Sequence, residues 1–273
     1  QSADRGINES YVTACVRFWK KVFNTNRIPV FSFFSDSYPH VQSTMGKNMQ
    51  DKLDSGNPLP QNTAFYKWDD ERNCTELWKQ YYVMNWKNAR FGNDNGQKEY
   101  CEAIEQAMVN FSQPISSNQN NSEIVLEGLA VEARGKEDTL VVKYRDGRKV
   151  PFDMLPQGYK RIFSIVFDIA HRGYLLQKNC NPYAVVFIDE LELHLHPSLA
   201  QEVVQRFKRS FSNAQLVIST HSPLVIADYK QDKDNLLYSI TLSVNGPEYR
   251  EVKNMYGMDY VSVLKSVMET PER

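Results

Sequence analysis

The chain has 273 residues, 41% hydrophobic and 24% charged, enough for one large domain or two modest ones. Its 32 basic residues almost balance 33 acidic ones, so a net charge of −1 excludes a global field drawing it to nucleic acid or membrane and leaves only local patches. Four cysteines (Cys15, Cys74, Cys101 and Cys180) stand far apart with no C-x-x-C, which argues against a zinc site or disulfide framework and for a reduced, cytoplasmic protein. No stretch approaches the length of an apolar membrane span, and the polar opening QSADRGINES has no signal-peptide core. That opening lacks an initiator methionine and the chain stops abruptly at METPER, so the expectation is a piece of a longer polypeptide.

From Tyr11 to Phe23 the apolar residues fall on a helical stripe. IPVFSFFS, residues 28 to 35, is short, aromatic and apolar and reads as a strand. A polar stretch rich in Gly, Asn, Pro and Ser runs to about Thr63, followed by helical patterns over roughly 65 to 90 and 98 to 111. Trp68, Trp78, Tyr81, Tyr82 and Trp86 offer a stacking platform for bases, but at helical spacing they read better as packed core. SQPISSNQNNSE, 112 to 123, is a turn-rich linker, and IVLEGLAVEA, TLVVKY and KVPF beyond it form a small antiparallel meander. The basic residues there, Arg145, Arg148 and Lys149, are interleaved with acids and mark a solvated surface.

LPQGYKRIFSIVFDIAHRG opens a long apolar helix. YAVVFIDE and QLVIST then read as buried parallel strands, each ending in polar residues, and SLAQEVVQRFKRSF between them is a crossover helix. In such sheets ligands bind beyond the carboxyl ends of the strands. Asp189 and Glu190 stand at one such end, and Ser219, Thr220 and His221 at the other. This is the layout of a nucleotide hydrolase. Asp189 would hold Mg²⁺ through water, Glu190 would orient and deprotonate the attacking water, and His221 would donate to the γ-phosphate as charge develops there. A competing reading gathers His194, His196 and His221 with Asp189 into a zinc site. Pro197 turns the chain into a helix directly after His196, and no H-E-x-x-H appears, so that reading is the weaker.

VVFIDELELHLHPSLAQ and QLVISTHSPLVIA resemble the Walker B, D-loop and switch-histidine segments of ABC-type ATPases, in the RecF/SMC/OLD-like branch with the pattern DE-x-E-x-HLHP. The tail YGMDYVSVLKSVMETPER is similar to the end of the ATPase of Septu-type antiphage systems, including those attached to retrons. The likeness is good over about 150 to 273 and loose before that. It places His196 where other ABC ATPases carry the D-loop aspartate. MLPQGYKRIFSIVFDIA resembles the signature motif L-S-x-G-x, so Gln157, Gly158 and Lys160 are implied to meet nucleotide, with Gly158 letting backbone approach phosphate. Pro156 replaces the usual serine and removes a γ-phosphate donor, for which Lys160 and Arg161 are candidate substitutes.

The P-loop G-x-x-x-x-G-K-[ST] is missing: Gly46-Lys47 precedes Asn and Gly135-Lys136 precedes Glu, neither with the earlier glycine. The resemblance implies that the P-loop lies before Gln1. It implies an α/β fold: an ABC-ATPase head with a mainly parallel sheet, an inserted helical lobe and a small antiparallel meander. Residues 1–35 would belong to the ATPase lobe, 36–120 to the helical insertion, and 121–273 to the lobe bearing the signature, Walker B, D-loop and switch-histidine segments. It further implies ATP and Mg²⁺ as cofactors, a homodimer of heads paired head-to-tail, and a conformational switch in antiphage defence controlling an HNH nuclease. DNA, or a retron reverse transcriptase with its RNA–DNA product, are further implied partners, and no membrane. A RecF- or OLD-like DNA-repair ATPase, a transporter ATPase subunit and a non-hydrolysing ATP-binding scaffold stay open as alternatives.

Overall fold

The computed structural model describes residues 28–38, 45–70, 74–92, 95–115, 125–134, 137–227, 234–244, 246–253 and 257–268. The expected helix from Tyr11 to Phe23 lies outside them, as does most of the linker at 112–123.

Three parallel strands, β1 (Val30–Phe34), β5 (Ala184–Ile188) and β6 (Ala214–Ile218), form a sheet in the order β1-β5-β6. Ile188 pairs with both Phe34 and Ile218, so the three strands end level. Ser35, Asp189 and Ser219 therefore stand side by side at one edge. The register continues past the strands: Asp189 N–H donates to Phe34 O at 2.8 Å and Ser219 N–H to Ile188 O at 3.0 Å.

β2 (Leu126–Arg134), β3 (Glu137–Tyr144) and β4 (Lys149–Pro151) form the expected antiparallel meander. Between β1 and β2 come α1 (Lys47–Asp54), a 3₁₀ turn (Gln61–Phe65), α2 (Thr75–Phe91) and α3 (Asn95–Ser112). α1 sits where the sequence reads only as polar. Met49 and Leu53, one turn apart, are its two buried residues. The pattern expected to be helical from about 65 instead begins at Thr75, after turns at 66–69.

The long helix α4 (Gln157–Gln177) is buried on nearly every side, as a helix packed between two layers must be. β1 lies against one side, and α2, α3 and the 3₁₀ turn against the other. Trp78, Tyr81 and Tyr82 are core residues, which favours the structural reading of the aromatic helix. Two buried ion pairs lock this packing. Asp168 accepts from Trp78 Nε1 at 2.6 Å and from Arg172 Nε, while Arg172 Nη1 donates to the Ala64 and Tyr66 carbonyls at 2.8 and 3.0 Å. On the crossover helix α5 (Pro197–Ser210), Glu202 pairs with Arg206, and Arg206 Nη1 reaches Ser112 O at 2.9 Å. That bond ties α5 to the end of α3.

The strands were expected to be covered on both faces, and here the structure differs. Val30, Phe34, Val186 and Ile188 are buried, but on the opposite face Phe187 is 37% and Val217 44% exposed. Among the described residues one face of the sheet is buried along β1 and β5 and half-buried along β6, and the opposite face is the more open. A further hairpin, β7 (Tyr238–Ser243) and β8 (Gly246–Glu251), carries Tyr238, Ile240, Leu242 and Tyr249 exposed, while Ser239 turns inward to Val267 O at 3.3 Å. The last elements are α6 (Pro223–Ala227) and α7 (Tyr260–Ser266), packed together over Ile226, Val252 and Val263.

His171 on α4 is fully buried, its ring against Trp78, Phe167 and Tyr100 and its Nδ1 2.7 Å from Phe167 O. Burial, which penalises the imidazolium, pushes its pKa from 6.5 down to about 3. Between those values the unfolded chain binds a proton that the folded chain refuses, so this contribution to stability is full above pH 6.5 and is lost as pH falls toward 3. The slope reaches about 1.4 kcal/mol per pH unit. Urea unfolding at pH 7, 5.5 and 4.5 should show that His171→Phe flattens the acid limb. An unchanged limb would mean that the imidazole is protonated in the folded protein.

Candidate active site

The level strand ends bring Asp189, Glu190, Ser219 and His221 into one cluster. Ser219 Oγ donates to Asp189 Oδ1 and accepts from Glu190 N–H at 2.9 Å, so one hydroxyl joins the ends of β5 and β6. Glu190 has φ +46, a left-handed conformation that costs a non-glycine residue about 1–2 kcal/mol. Its backbone is held there from three sides. Ser219 takes its N–H, while Leu193 N–H and Arg161 Nη2 donate to its carbonyl at 3.1 and 3.3 Å. The twist brings the Glu190 carboxylate within 3.9 Å of His221 Nε2, with side chains 36% and 84% exposed respectively. An acid and an imidazole thus face each other at an open sheet edge, beside a carboxylate fixed by a hydroxyl. That arrangement suits activation of a water against a phosphate.

Arg161 is among the largest fully buried side chains. Its guanidinium donates to the Ser35 and Asp36 carbonyls at 3.0 and 3.1 Å, to Tyr38 O, and to the Asp189 and Glu190 carbonyls at 2.6 and 3.3 Å. Burial lowers its pKa from the ordinary arginine value, against the pull of Asp36, Asp189 and Glu190. The expectation that Arg161 supplies charge to a phosphate is therefore corrected: both terminal nitrogens donate to carbonyls of its own chain, and its side chain is fully buried. Lys160 is partly exposed, with Nζ 3.6 Å from Asp153 Oδ1.

Gly158 lies in the first turn of α4, after Pro156 at the N-cap, which makes no side-chain cap bond, and exposed Gln157. A Cβ on Gly158 would overlap the His194 carbonyl oxygen and lie 2.8 Å from its carbon. Glycine is needed here for close approach of the 190–196 loop of the same chain, whatever else this turn meets. His194 itself has φ +62. His196 is the N-cap of α5, with Nδ1 2.8 Å from Ser198 Oγ and accepting from Ser198 N–H at 3.4 Å, and Pro197 follows as the first helical residue. The structure so gives His196 a capping role. Among the described residues no group of three or more His, Cys, Asp or Glu could hold a metal ion, so the three histidines do not gather as a zinc centre.

Sequence reasoning assigned no role to Glu192 or Ser219. Glu192 Oε2 accepts from Thr220 Oγ1 and Oε1 from His221 N–H, both at 2.6 Å. Its signal was the third acid of DE-x-E.

A family model described as an AAA ATPase domain matches residues 42–226. The chain belongs to the AAA ATPase domain family. The "Retron Vc95 probable ATPase" of Vibrio cholerae serotype O1 biovar El Tor is 33% identical over 144 residues, which cover 50% of this chain and 26% of that protein. The "Septu protein PtuA" of Bacillus mycoides (strain KBAB4) is 36% identical over 70 residues, covering 26% of this chain and 10% of that protein. The match thus spans about a quarter or less of the relatives' own length. A solved structure from work on ATP-driven dimerization and DNA-stimulated activation of SMC ATPases aligns at TM-score 0.43 with 10% identity, over 64% of this chain and 94% of that one. That likeness is too slight to argue from.

Proposed function

We propose that this AAA ATPase domain binds and hydrolyses ATP as a conformational switch in antiphage defence, and that it controls a nuclease of HNH type. The observation that supports it is the pairing of Glu190 with His221 beside Asp189, at the carboxyl ends of adjacent parallel strands. Retron and Septu relatives support the biological setting. Asp189 fits a hard cation: it is a carboxylate oriented by a hydroxyl, the donor type that Mg²⁺ takes from proteins together with retained water. Mg²⁺ when bound would supply neutralising charge to the phosphates. Glu190 would take the proton of the attacking water, and His221 would donate to the γ-phosphate oxygens.

In this reading the ATP site is shared. Gln157, Gly158, Lys160 and His196 would face the nucleotide of a second head in a head-to-tail homodimer. Residues 1–35 and 121–273 form the ATPase lobe and 36–120 the inserted helical lobe. DNA, or a retron reverse transcriptase with its RNA–DNA product, completes the partners, in the cytoplasm. Among the described residues no helix is long and apolar enough to cross a membrane. Pro156, with no hydroxyl to offer phosphate, favours a second reading in which ATP is held without turnover.

Turnover by the purified intact protein decides between them. Steady hydrolysis that requires Mg²⁺, stops with EDTA and occurs in preparations free of zinc is the expected result. ATP binding without turnover would establish the second reading. Absence of ATP binding, or stoichiometric zinc lost in His194→Ala, would defeat both.

A further inference from the structure

The mechanism proposed above needs His221 opposite Glu190, yet the His221 side chain is 84% exposed and no core packing holds it. Its loop follows β6 directly, with residues 219 to 222 in no regular element. Ser219 is tied to β5 by its own backbone and hydroxyl bonds, and beyond it a carboxylate takes over. Glu192 spans it with both oxygens: Oε1 takes the backbone N–H of His221 and Oε2 the hydroxyl of Thr220, each at 2.6 Å. Thr220 Oγ1 in turn accepts the N–H of Ser222 at 3.0 Å. Two consecutive residues are thus tied directly to one carboxylate, a charge-assisted and therefore strong class of hydrogen bond, and Ser222 is tied to it indirectly through the Thr220 hydroxyl.

The other end of Glu192 is equally fixed. Leu191, fully buried, donates its N–H to Ser219 O at 3.2 Å, and Leu195 N–H closes a turn on Glu192 O at 2.9 Å. The carbonyl of His194 fills the space that a side chain at Gly158 would need. The 190–196 loop is therefore braced against the start of α4 on one side and, through Glu192, against the His221 loop on the other.

We propose that Glu192 is a positioning residue that transmits the placement of the 190–196 loop to His221, so that the start of α4 and the γ-phosphate-sensing histidine move as one unit. This rests on the hydrolase reading for its kinetic consequence but not for the clamp itself. In the intact protein Glu192→Ala should lower kcat about 10- to 100-fold, the usual range for loss of a residue that orients a site group, with the KM for ATP changed less than about threefold. Glu192→Gln should recover most of the rate. Its amide oxygen can still take the His221 N–H, and its NH₂ can donate to the Thr220 hydroxyl. Glu192→Asp, one methylene shorter, should not. A residue acting through His221 adds nothing once His221 is gone, so Glu192→Ala should have no further effect in a His221→Ala background. Amide hydrogen exchange should quicken at residues 219–222 in Glu192→Ala while α4 and β5 keep wild-type protection.

Multiplicative losses in the double variant, or a Gln variant as slow as Ala, would overturn the positioning role. Unchanged exchange at 219–222 would overturn the clamp. If wild type shows no turnover at all, the hydrolase reading fails, and the exchange measurement still decides whether Glu192 holds the loop.

Discussion

Glu190→Gln in the intact protein should reduce ATP turnover by about 10²-fold or more and leave ATP accumulated on the protein. Glutamine keeps the size and the backbone of Glu190, including the bonds from its N–H to Ser219 Oγ and from Arg161 and Leu193 to its carbonyl. What it loses is a carboxylate able to take a proton, placed 3.9 Å from His221 Nε2. General-base catalysis is worth about 10²–10⁴-fold, and 10²-fold corresponds to roughly 2.7 kcal/mol on the barrier. A change at a partly exposed side chain should alter stability by only about 0.5 kcal/mol. The two effects differ enough in size that turnover and urea unfolding, measured on one preparation, separate them. Wild-type turnover by the variant would remove Glu190 from the mechanism.

The sheet edge was readable because its signals are local. An apolar run meeting Asp189-Glu190, a second meeting Ser219-Thr220-His221, and a crossover-helix pattern between them suffice to place three side chains at one edge. The supporting contacts are not local. Arg161 reads as a cation for phosphate beside a glycine turn, because its Ser35, Asp36 and Tyr38 acceptors lie more than 120 residues earlier. Glu192 reads as a further acid in a polar loop until the fold sets it against Thr220. At Gly158 the sequence points to close backbone approach to a phosphate, and what the structure places there is the His194 carbonyl of the same chain. A bulky Gly158 variant would disturb its own chain before reporting on a second head. The uncovered sheet face misled differently. All-apolar strands read as buried on both sides whether or not a second layer packs on them. The β7–β8 hairpin had its signal in the turn-forming Asn, Gly and Pro of SVNGPE, after the alternating apolar residues of β7.

Arg161→Met should both unfold the domain more easily and silence the site. Methionine roughly fills the aliphatic part of the arginine, so the change tests the guanidinium with little loss of packing. Five carbonyls lose a donor: Ser35, Asp36 and Tyr38 beyond β1, Asp189 and Glu190 beyond β5. Each buried acceptor left unsatisfied costs about 1–3 kcal/mol, but water can reach those near the open edge, so the net loss should be about 3–5 kcal/mol rather than the full sum. For a domain of this size that is a fall in Tm of roughly 6–15 °C. The effect on chemistry follows from where the acceptors lie. The guanidinium bonds both the segment after β1 and the carbonyls of Asp189 and Glu190, and Glu190 needs support to stay at φ +46. Without it Glu190 should relax toward ordinary backbone angles and carry its carboxylate away from His221. Turnover should then fall at temperatures where circular dichroism shows the variant still folded. Arg161→Lys is the sharper comparison. It keeps the charge, but a single ammonium has three donors and no planar fork, so it cannot serve both segments. Lysine should recover less than half of the lost stability and little of the rate. A lysine variant with wild-type stability would show that charge alone matters here and that the fan of carbonyl bonds contributes nothing.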